Sequence, residues 1–305
     1  MIGQATTWGV AVRRGVAAAR GVACARSTRT ARAHSTFAGN SSDTSEQQHF
    51  AALADSWWDP DGPQRILHKM NLMRMDYIRE TLACDPQFGF SPDLLPAEAL
   101  HRAHFPKPRS LSVLDVGCGG GLLSESLARA DFCRSVKGID FTPEVIAAAA
   151  RHKALDPALE NLTYEEARVE DLPASETYDI LTMFEVVEHL DDPPATLAAA
   201  LSHVKPGGWA FLSTINRTAV AYLTTIFAAE TLFRIVPPGT HTFSKYINEQ
   251  ELRAFFDRLP DWQFASSQGC FYVPGRGWER TSNGVLGKLM GPGVGNYLFA
   301  ARKRG

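Results

Sequence analysis

The chain has 305 residues, 45% of them hydrophobic, with 31 basic and 33 acidic side chains and a formal net charge of −2. It has no run of 18 uncharged apolar residues, so no membrane-spanning helix is expected. Five cysteines without Cys-x-x-Cys pairing give no support to a zinc or disulfide framework and suit a reducing compartment.

Residues 1–42 differ from the rest. They hold Arg13, Arg14, Arg20, Arg26, Arg29 and Arg32, no Asp or Glu, and many Ala, Ser and Thr. That is the composition of a mitochondrial transit peptide; a tail with no address is the plainer alternative. Without these six arginines, residues 43–305 carry 25 basic against 33 acidic residues, a net of −8. Such an acidic body argues against nucleic-acid binding.

Residues 43–108 read as a helical N-terminal extension. A helix is expected over 46–58, with Phe50, Leu53, Ala54 and Trp57 as its apolar positions, ending at the turn cluster Asp59-Pro-Asp-Gly-Pro63. A second helix spans 64–84, and 86–96 reads as a loop. From Ser110 strands and helices alternate: 112–116, 122–130, 135–140, 143–153, 162–166, 178–184, 193–204 and 208–214. This predicts an α/β fold, a doubly wound, mostly parallel sheet over residues 109–305 with helices on both faces. Lys205-Pro-Gly-Gly208 reads as a turn before the strand that starts at Trp209. After Asn216 the alternation is interrupted by an apolar helical segment, 219–236, inside an insertion over 216–247. Strands resume at 269–273 and 297–301.

The densest signal is Val113-Leu-Asp-Val-Gly-Cys-Gly-Gly-Gly-Leu122, a β-branched strand ending in a glycine loop and a helix. A dinucleotide Gly-x-Gly-x-x-Gly frame fails twice, because its third glycine would fall at Leu122 or Ser124. What fits is Asp-x-Gly-x-Gly-x-Gly from Asp115 to Gly121, which resembles the first motif of S-adenosylmethionine (SAM) methyltransferases. The free N–H groups of the following helix suit a polar ligand. The alternative is a turn that only packs helix against strand. Cys118, inside the loop, reads as a small packed residue rather than a nucleophile.

Asp140 ends the next strand, 19 residues past Gly121, where a carboxylate can accept both hydroxyls of a ribose. It reads also as part of a helix start, since Thr142-Pro143-Glu144 follows. Asp171 suits either the adenine end of a cofactor or a solvated turn. Beyond strand 178–184, Glu185, Glu188 and His189 stand at i, i+3 and i+4, on one face if the chain is helical there. Two carboxylates and an imidazole suit a three-ligand metal site; a capping cluster is the alternative.

Taken together, the motifs resemble the ubiquinone-biosynthesis O-methyltransferases. The resemblance covers about residues 46–301. It rests on the glycine motif, Trp57-Trp58-Asp59, Asn71-Leu-Met-Arg74, Phe184-Glu-Val-Val-Glu-His189, Val204-Lys-Pro-Gly-Gly208 and Ser213-Thr-Ile-Asn-Arg217. Val236-Pro-Pro-Gly-Thr-His241 and Gly291-Pro-Gly-Val-Gly-Asn-Tyr297 extend it. Leu72 stands where some relatives have proline.

The resemblance implies a class I SAM-dependent methyltransferase fold, SAM as co-substrate, and methyl transfer to a phenolic hydroxyl. The acceptors would be a polyprenyl dihydroxybenzoate and a demethylubiquinol. Arg74 would hold the methionine carboxylate of SAM, Gly117 and Gly119 would line the cofactor, Asp140 would hold the ribose, and Phe184 would flank the adenine or sulfonium. Glu185, Glu188 and His189 would match a magnesium site, with His189 as general base the alternative. The resemblance further implies a peripheral place on the matrix side of the mitochondrial inner membrane. There 219–236 would lie on the lipid surface, beside a multiprotein coenzyme Q biosynthesis complex; a packed lid or core helix is the alternative for this segment. Two other functions compete: a non-catalytic subunit of such a complex, and a nicotinamide oxidoreductase, which the failed dinucleotide frames disfavour.

Overall fold

The computed structural model describes residues 47, 48, 50–85, 110–218, 245–273, 275–281 and 295–305. The arginine-rich leader and the apolar segment 219–236 lie outside the described residues.

Helix α1 (Arg65–Ala83) buries Met70, Arg74, Tyr77, Ile78 and Leu82, a three-and-four spacing that makes one inward stripe. Leu72 points away and is 74% exposed, so its change from proline costs no buried contact. Before α1, the helix expected to reach Trp58 instead tightens into a 3-10 turn at Ala54–Ser56. Ser56 Oγ donates to the Leu53 carbonyl at 3.0 Å, a local bond that competes with the helical ladder.

The strands are β1 (Leu111–Val116), β2 (Cys133–Asp140), β3 (Leu162–Glu166), β4 (Tyr178–Phe184), β5 (Val204–Ile215), β6 (Trp262–Val273), β7 (Gly277–Arg280) and β8 (Asn296–Lys303). They form one sheet ordered β3-β2-β1-β4-β5-β8-β6-β7. The first five pair in parallel. β8 runs antiparallel to β5 and β6, and β7 antiparallel to β6. The connecting helices are α2 (Leu122–Ala128), α3 (Pro143–Lys153), α4 (Pro193–Ser202) and α5 (Glu249–Asp257).

Alternating strand residues feed two cores. Val113, Ile180, Phe211 and Leu298 pack with α1 and α2 on one face. Leu114, Leu181, Leu212 and Phe299 pack with α4 and α5 on the other. The turn expected at Lys205–Gly208 is instead a bulge inside β5. Pairing with β4 jumps from Tyr178↔Val204 to Ile180↔Trp209, and Gly207 takes φ 78°. β6 also starts seven residues before the expected strand, at Trp262. The carboxyl ends of β1, β2, β4 and β5 meet where doubly wound sheets bind ligands.

Candidate active site

Asp115, near the end of β1, is an internal brace. Its carboxyl accepts from Ser124 Oγ at 2.5 Å and Thr182 Oγ1 at 2.7 Å, tying β1 to α2 and β4. Full burial pushes this carboxyl up to about 6, against the two hydroxyl donors. After it, Gly117 (φ 67°) and Gly119 (φ 52°) take left-handed backbone. A Cβ at Gly117 would overlap Val186, and one at Gly119 would overlap the Trp57 indole. At these two positions the space expected for a ligand on the Cβ side is filled by the protein itself. Cys118 is buried, and burial holds its thiol well above the ordinary value, which makes it a packed residue.

Asp140 closes the loop from β2. One carboxyl oxygen accepts from the Gly119 N–H at 3.1 Å and the other from the Thr142 N–H at 2.9 Å. The side chain thus shapes the glycine loop and steadies the start of α3, the helix-start role expected of it. Asp171 is exposed on the 3-10 turn Val169–Asp171.

Arg74 is 5% exposed, and its Nε has no hydrogen-bond partner. Its Nη2 donates to Met70 Sδ at 3.6 Å, and its guanidinium lies over the Phe184 ring, 5.4 Å from the centroid. Burial works against the charge; Glu185 and then Asp115 work for it. Asn71, one turn earlier, donates from Nδ2 to the Leu122 carbonyl at 3.0 Å and Ser126 Oγ at 2.8 Å. It docks α1 on α2 and so sets the depth of Arg74, a role its place in the Asn-x-x-Arg pattern alone does not assign.

Glu185, Glu188 and His189 are close, but the common helical face expected for them does not form. Glu185 precedes the turn with φ 56°, and the 3-10 turn covers only Val187–His189. Left-handed backbone at a non-glycine residue is strained and persists only where neighbours hold it. Here they do. The Glu185 N–H donates to the Ser213 carbonyl, and its carboxyl accepts from Ser213 Oγ at 2.6 Å and Asn296 Nδ2 at 3.0 Å. Glu188 is 4% exposed and accepts from Thr214 Oγ1 at 2.8 Å. Burial and then the nearby Glu185 raise its carboxyl above the ordinary range. Among the described residues no three acidic, histidine or cysteine side chains are gathered as a metal-ligand set. Ser213, Thr214 and Asn296 are site residues that sequence reasoning passed over, although each lies in a motif that carries the resemblance.

A family model described as a methyltransferase domain matches residues 92–281. A mitochondrial ubiquinone biosynthesis O-methyltransferase of Candida albicans is 46% identical over 288 residues, covering 86% of each chain. The chain belongs to the ubiquinone biosynthesis O-methyltransferases. A Saccharomyces cerevisiae member is 39% identical over 86% of this chain and 89% of its own, and also carries a mitochondrial name. A Xanthomonas axonopodis member is 38% identical over 78% of this chain and 89% of its own. This family member is a SAM-dependent O-methyltransferase, with SAM as co-substrate. Solved structures share the fold. The plantazolicin methyltransferase BamL, in complex with S-adenosylhomocysteine, aligns with TM-score 0.53 at 13% identity over 86% of this chain and 99% of its own. The plantazolicin methyltransferase BpumL, also in complex with S-adenosylhomocysteine, gives 0.51 at 18% identity over 86% of this chain and 97% of its own.

Proposed function

We propose that this methyltransferase acts on the phenolic hydroxyl of a polyprenylated dihydroxybenzoate and, later, of a demethylubiquinol. Arg74 anchors the methionine carboxylate of SAM, Asp140 the ribose, Gly117 and Gly119 shape the loop between them, and Phe184 flanks the reacting end. The observation that carries this reading is the buried Arg74 guanidinium, whose Nε has no hydrogen-bond partner among the described residues. A planar fork with an unused N–H beside a glycine loop suits a ligand carboxylate.

SAM supplies a methyl group on a sulfonium, ready for in-line attack. The protein's task is alignment and removal of one proton. A phenol is mostly neutral near pH 7, so the attacking oxygen needs a base. His189, at the carboxyl end of the strands and only partly buried, takes that proton as the O–C bond forms and the S–C bond breaks.

Magnesium is the second reading of this cluster, and one observation favours it. Glu185 and Glu188 repel each other in a buried place, a tension that a cation would relieve. Two carboxylates and an imidazole have the donor chemistry for a divalent ion. To hold it, Glu185 would yield an oxygen now bonded to Ser213 or Asn296. When bound, such an ion would lower the phenol pKa.

The arginine-rich leader and the mitochondrial names of fungal relatives support a mitochondrial address. The lipophilic tail of the proposed acceptors favours a peripheral place on the matrix side of the inner membrane, with 219–236 on the lipid surface. Handing such a substrate between enzymes favours a coenzyme Q biosynthesis complex as partner. Calorimetry with SAM and with NAD, followed by turnover of a short-chain catechol, tests the function. SAM binding and catechol methylation are expected; SAM binding with no turnover on any catechol would overturn the acceptor class.

A further inference from the structure

The segment before α1 touches several stations of the site. Phe50 meets the His189 ring edge-to-face, with centroids 5.3 Å apart and planes at 83°. Trp57, 6% exposed, lies where a Cβ on Gly119 or Gly120 would be. Trp58 donates from Nε1 to the Gly120 carbonyl at 2.8 Å. Its indole stacks on His152, with centroids 3.4 Å apart and planes within 2°. His152 in turn is held by Glu125 at 2.7 Å, and His68 donates to the Trp57 carbonyl at 2.9 Å. Gln47 reaches the Phe141 carbonyl, one residue past Asp140, at 3.4 Å.

These contacts make one strap of the chain from Phe50 to Trp58. Its far end is fixed to the glycine loop by an indole packed on two glycines, a hydrogen bond and a stacked ring. Its near end delivers Phe50 to His189. The histidine ends a three-residue 3-10 turn, a short support for its ring. An aromatic edge against that ring restricts its rotation while using neither nitrogen.

We propose that Phe50 is a positioning residue for His189, carried on a strap that Trp57 and Trp58 lock to the cofactor loop. It rests on the reading of His189 as a group on the acceptor side of the active site. The loop that receives SAM and the ring that serves the acceptor are then placed by a single element, although 139 positions separate Phe50 from His189.

The test is SAM-dependent methylation of a short-chain catechol by the purified full chain, with kcat and the KM for SAM measured separately. Phe50→Ala is expected to lower kcat about tenfold, the scale of a slightly misplaced reacting group, and to leave the KM for SAM within about twofold. Phe50→Tyr, which keeps the ring, restores most of kcat. Phe50→Leu, which keeps apolar bulk without the ring, stays low in kcat and covers the case in which the alanine variant folds poorly. Trp58→Phe, which loses the bond to Gly120, raises the KM for SAM. His189→Gln is the control for the reading beneath. If it is fully active, the role of His189 falls. If it is inactive while Phe50→Ala and Phe50→Leu keep wild-type kcat, the positioning role alone is overturned. A matched rise in the KM for SAM in Phe50→Ala, or no rescue by tyrosine, overturns it equally.

Discussion

The guanidinium of Arg74 sits 5.4 Å from the centroid of the Phe184 ring, and its Nε has no hydrogen-bond partner. A cation buried against an aromatic face gains some attraction from the ring, but far less than its lost hydration. The chain tolerates this arrangement beside its glycine loop, and the proposed function has the carboxylate of SAM complete it.

Arg74→Met therefore has two effects of opposite sign. It removes an incompletely paired buried charge while keeping much of the volume, so the ligand-free protein is expected to melt at a higher temperature. It also removes the fork for the ligand carboxylate. A hydrogen bond to a charged group is worth about 1.5–3 kcal/mol, so SAM affinity drops roughly ten- to a hundredfold. Melting curves and calorimetry on the same sample check both signs. Lower stability together with unchanged SAM affinity would remove Arg74 from the cofactor site.

Gly119→Ala forces a Cβ into the Trp57 indole and asks an L-residue to hold φ 52°. Left-handed backbone costs about 1–2 kcal/mol, and overpacking about 1–3 kcal/mol more. The expected outcome is a clear fall in denaturation midpoint and weaker SAM binding. Trp57→Ala in the same chain should recover part of the stability, because the clash is with that ring; an additive double variant would refute the contact.

Asp115 makes stability depend on pH in the direction opposite to a salt-bridged acid. Burial raises its carboxyl from 3.8 to about 6, so between those values the folded state binds more protons than the unfolded one. Its contribution is fully present below about pH 4 and is lost as pH rises through about 6. The loss is on the order of 3 kcal/mol. Asp115→Asn abolishes this dependence. The difference between wild-type and variant unfolding free energies, measured in denaturant from pH 4 to 7, should fall toward higher pH. A flat difference would mean that Asp115 is not buried as described.

Most of the fold was legible because two periodicities in the chain are strong. The apolar runs of β1, β4 and β5 and the three-and-four spacing of α1 follow directly from burying a sheet between helices. The misreadings have local causes. Pro-Gly-Gly at 206–208 has turn composition, yet neighbouring β4 absorbs it as a bulge. Glu185 to His189 has helical spacing, yet Ser213 and Asn296 pull Glu185 into left-handed backbone before the turn begins. Asn296 and Phe50 lie 111 and 135 positions from Glu185, so no local pattern links them. The positions of Arg74 and Asp140 were legible only because each belongs to a motif with its own spacing.

In the apolar segment 219–236, Tyr222, Leu223, Ile226, Phe227, Leu232, Phe233 and Val236 recur at helix-like spacing, a pattern that suits a helix lying on lipid. Phe227→Glu with Phe233→Glu should abolish co-sedimentation with anionic liposomes and leave methylation of a short-chain, water-soluble catechol near wild type. Undiminished liposome binding would sink the surface-contact reading.

Glu185 and Glu188 separate a protein base from a metal. Glu188 is held above its ordinary protonation range by burial and by Glu185, so removing the Glu185 charge must let Glu188 ionise more easily. If His189 works alone, exhaustive chelation leaves turnover intact. Glu185→Gln, which keeps partners for Ser213 and Asn296, then lowers kcat only modestly, and His189→Gln removes most of it. If a divalent ion is required, chelation abolishes turnover, added magnesium restores it, and Glu185→Gln raises the magnesium concentration needed by one to two orders of magnitude, about the loss seen when a site loses one supporting group. Turnover against magnesium concentration, in wild type and Glu185→Gln, decides between them. A curve that never leaves the wild-type plateau after chelation leaves the proton to His189, with Glu185 and Glu188 as the strained, hydrogen-bonded support beneath it.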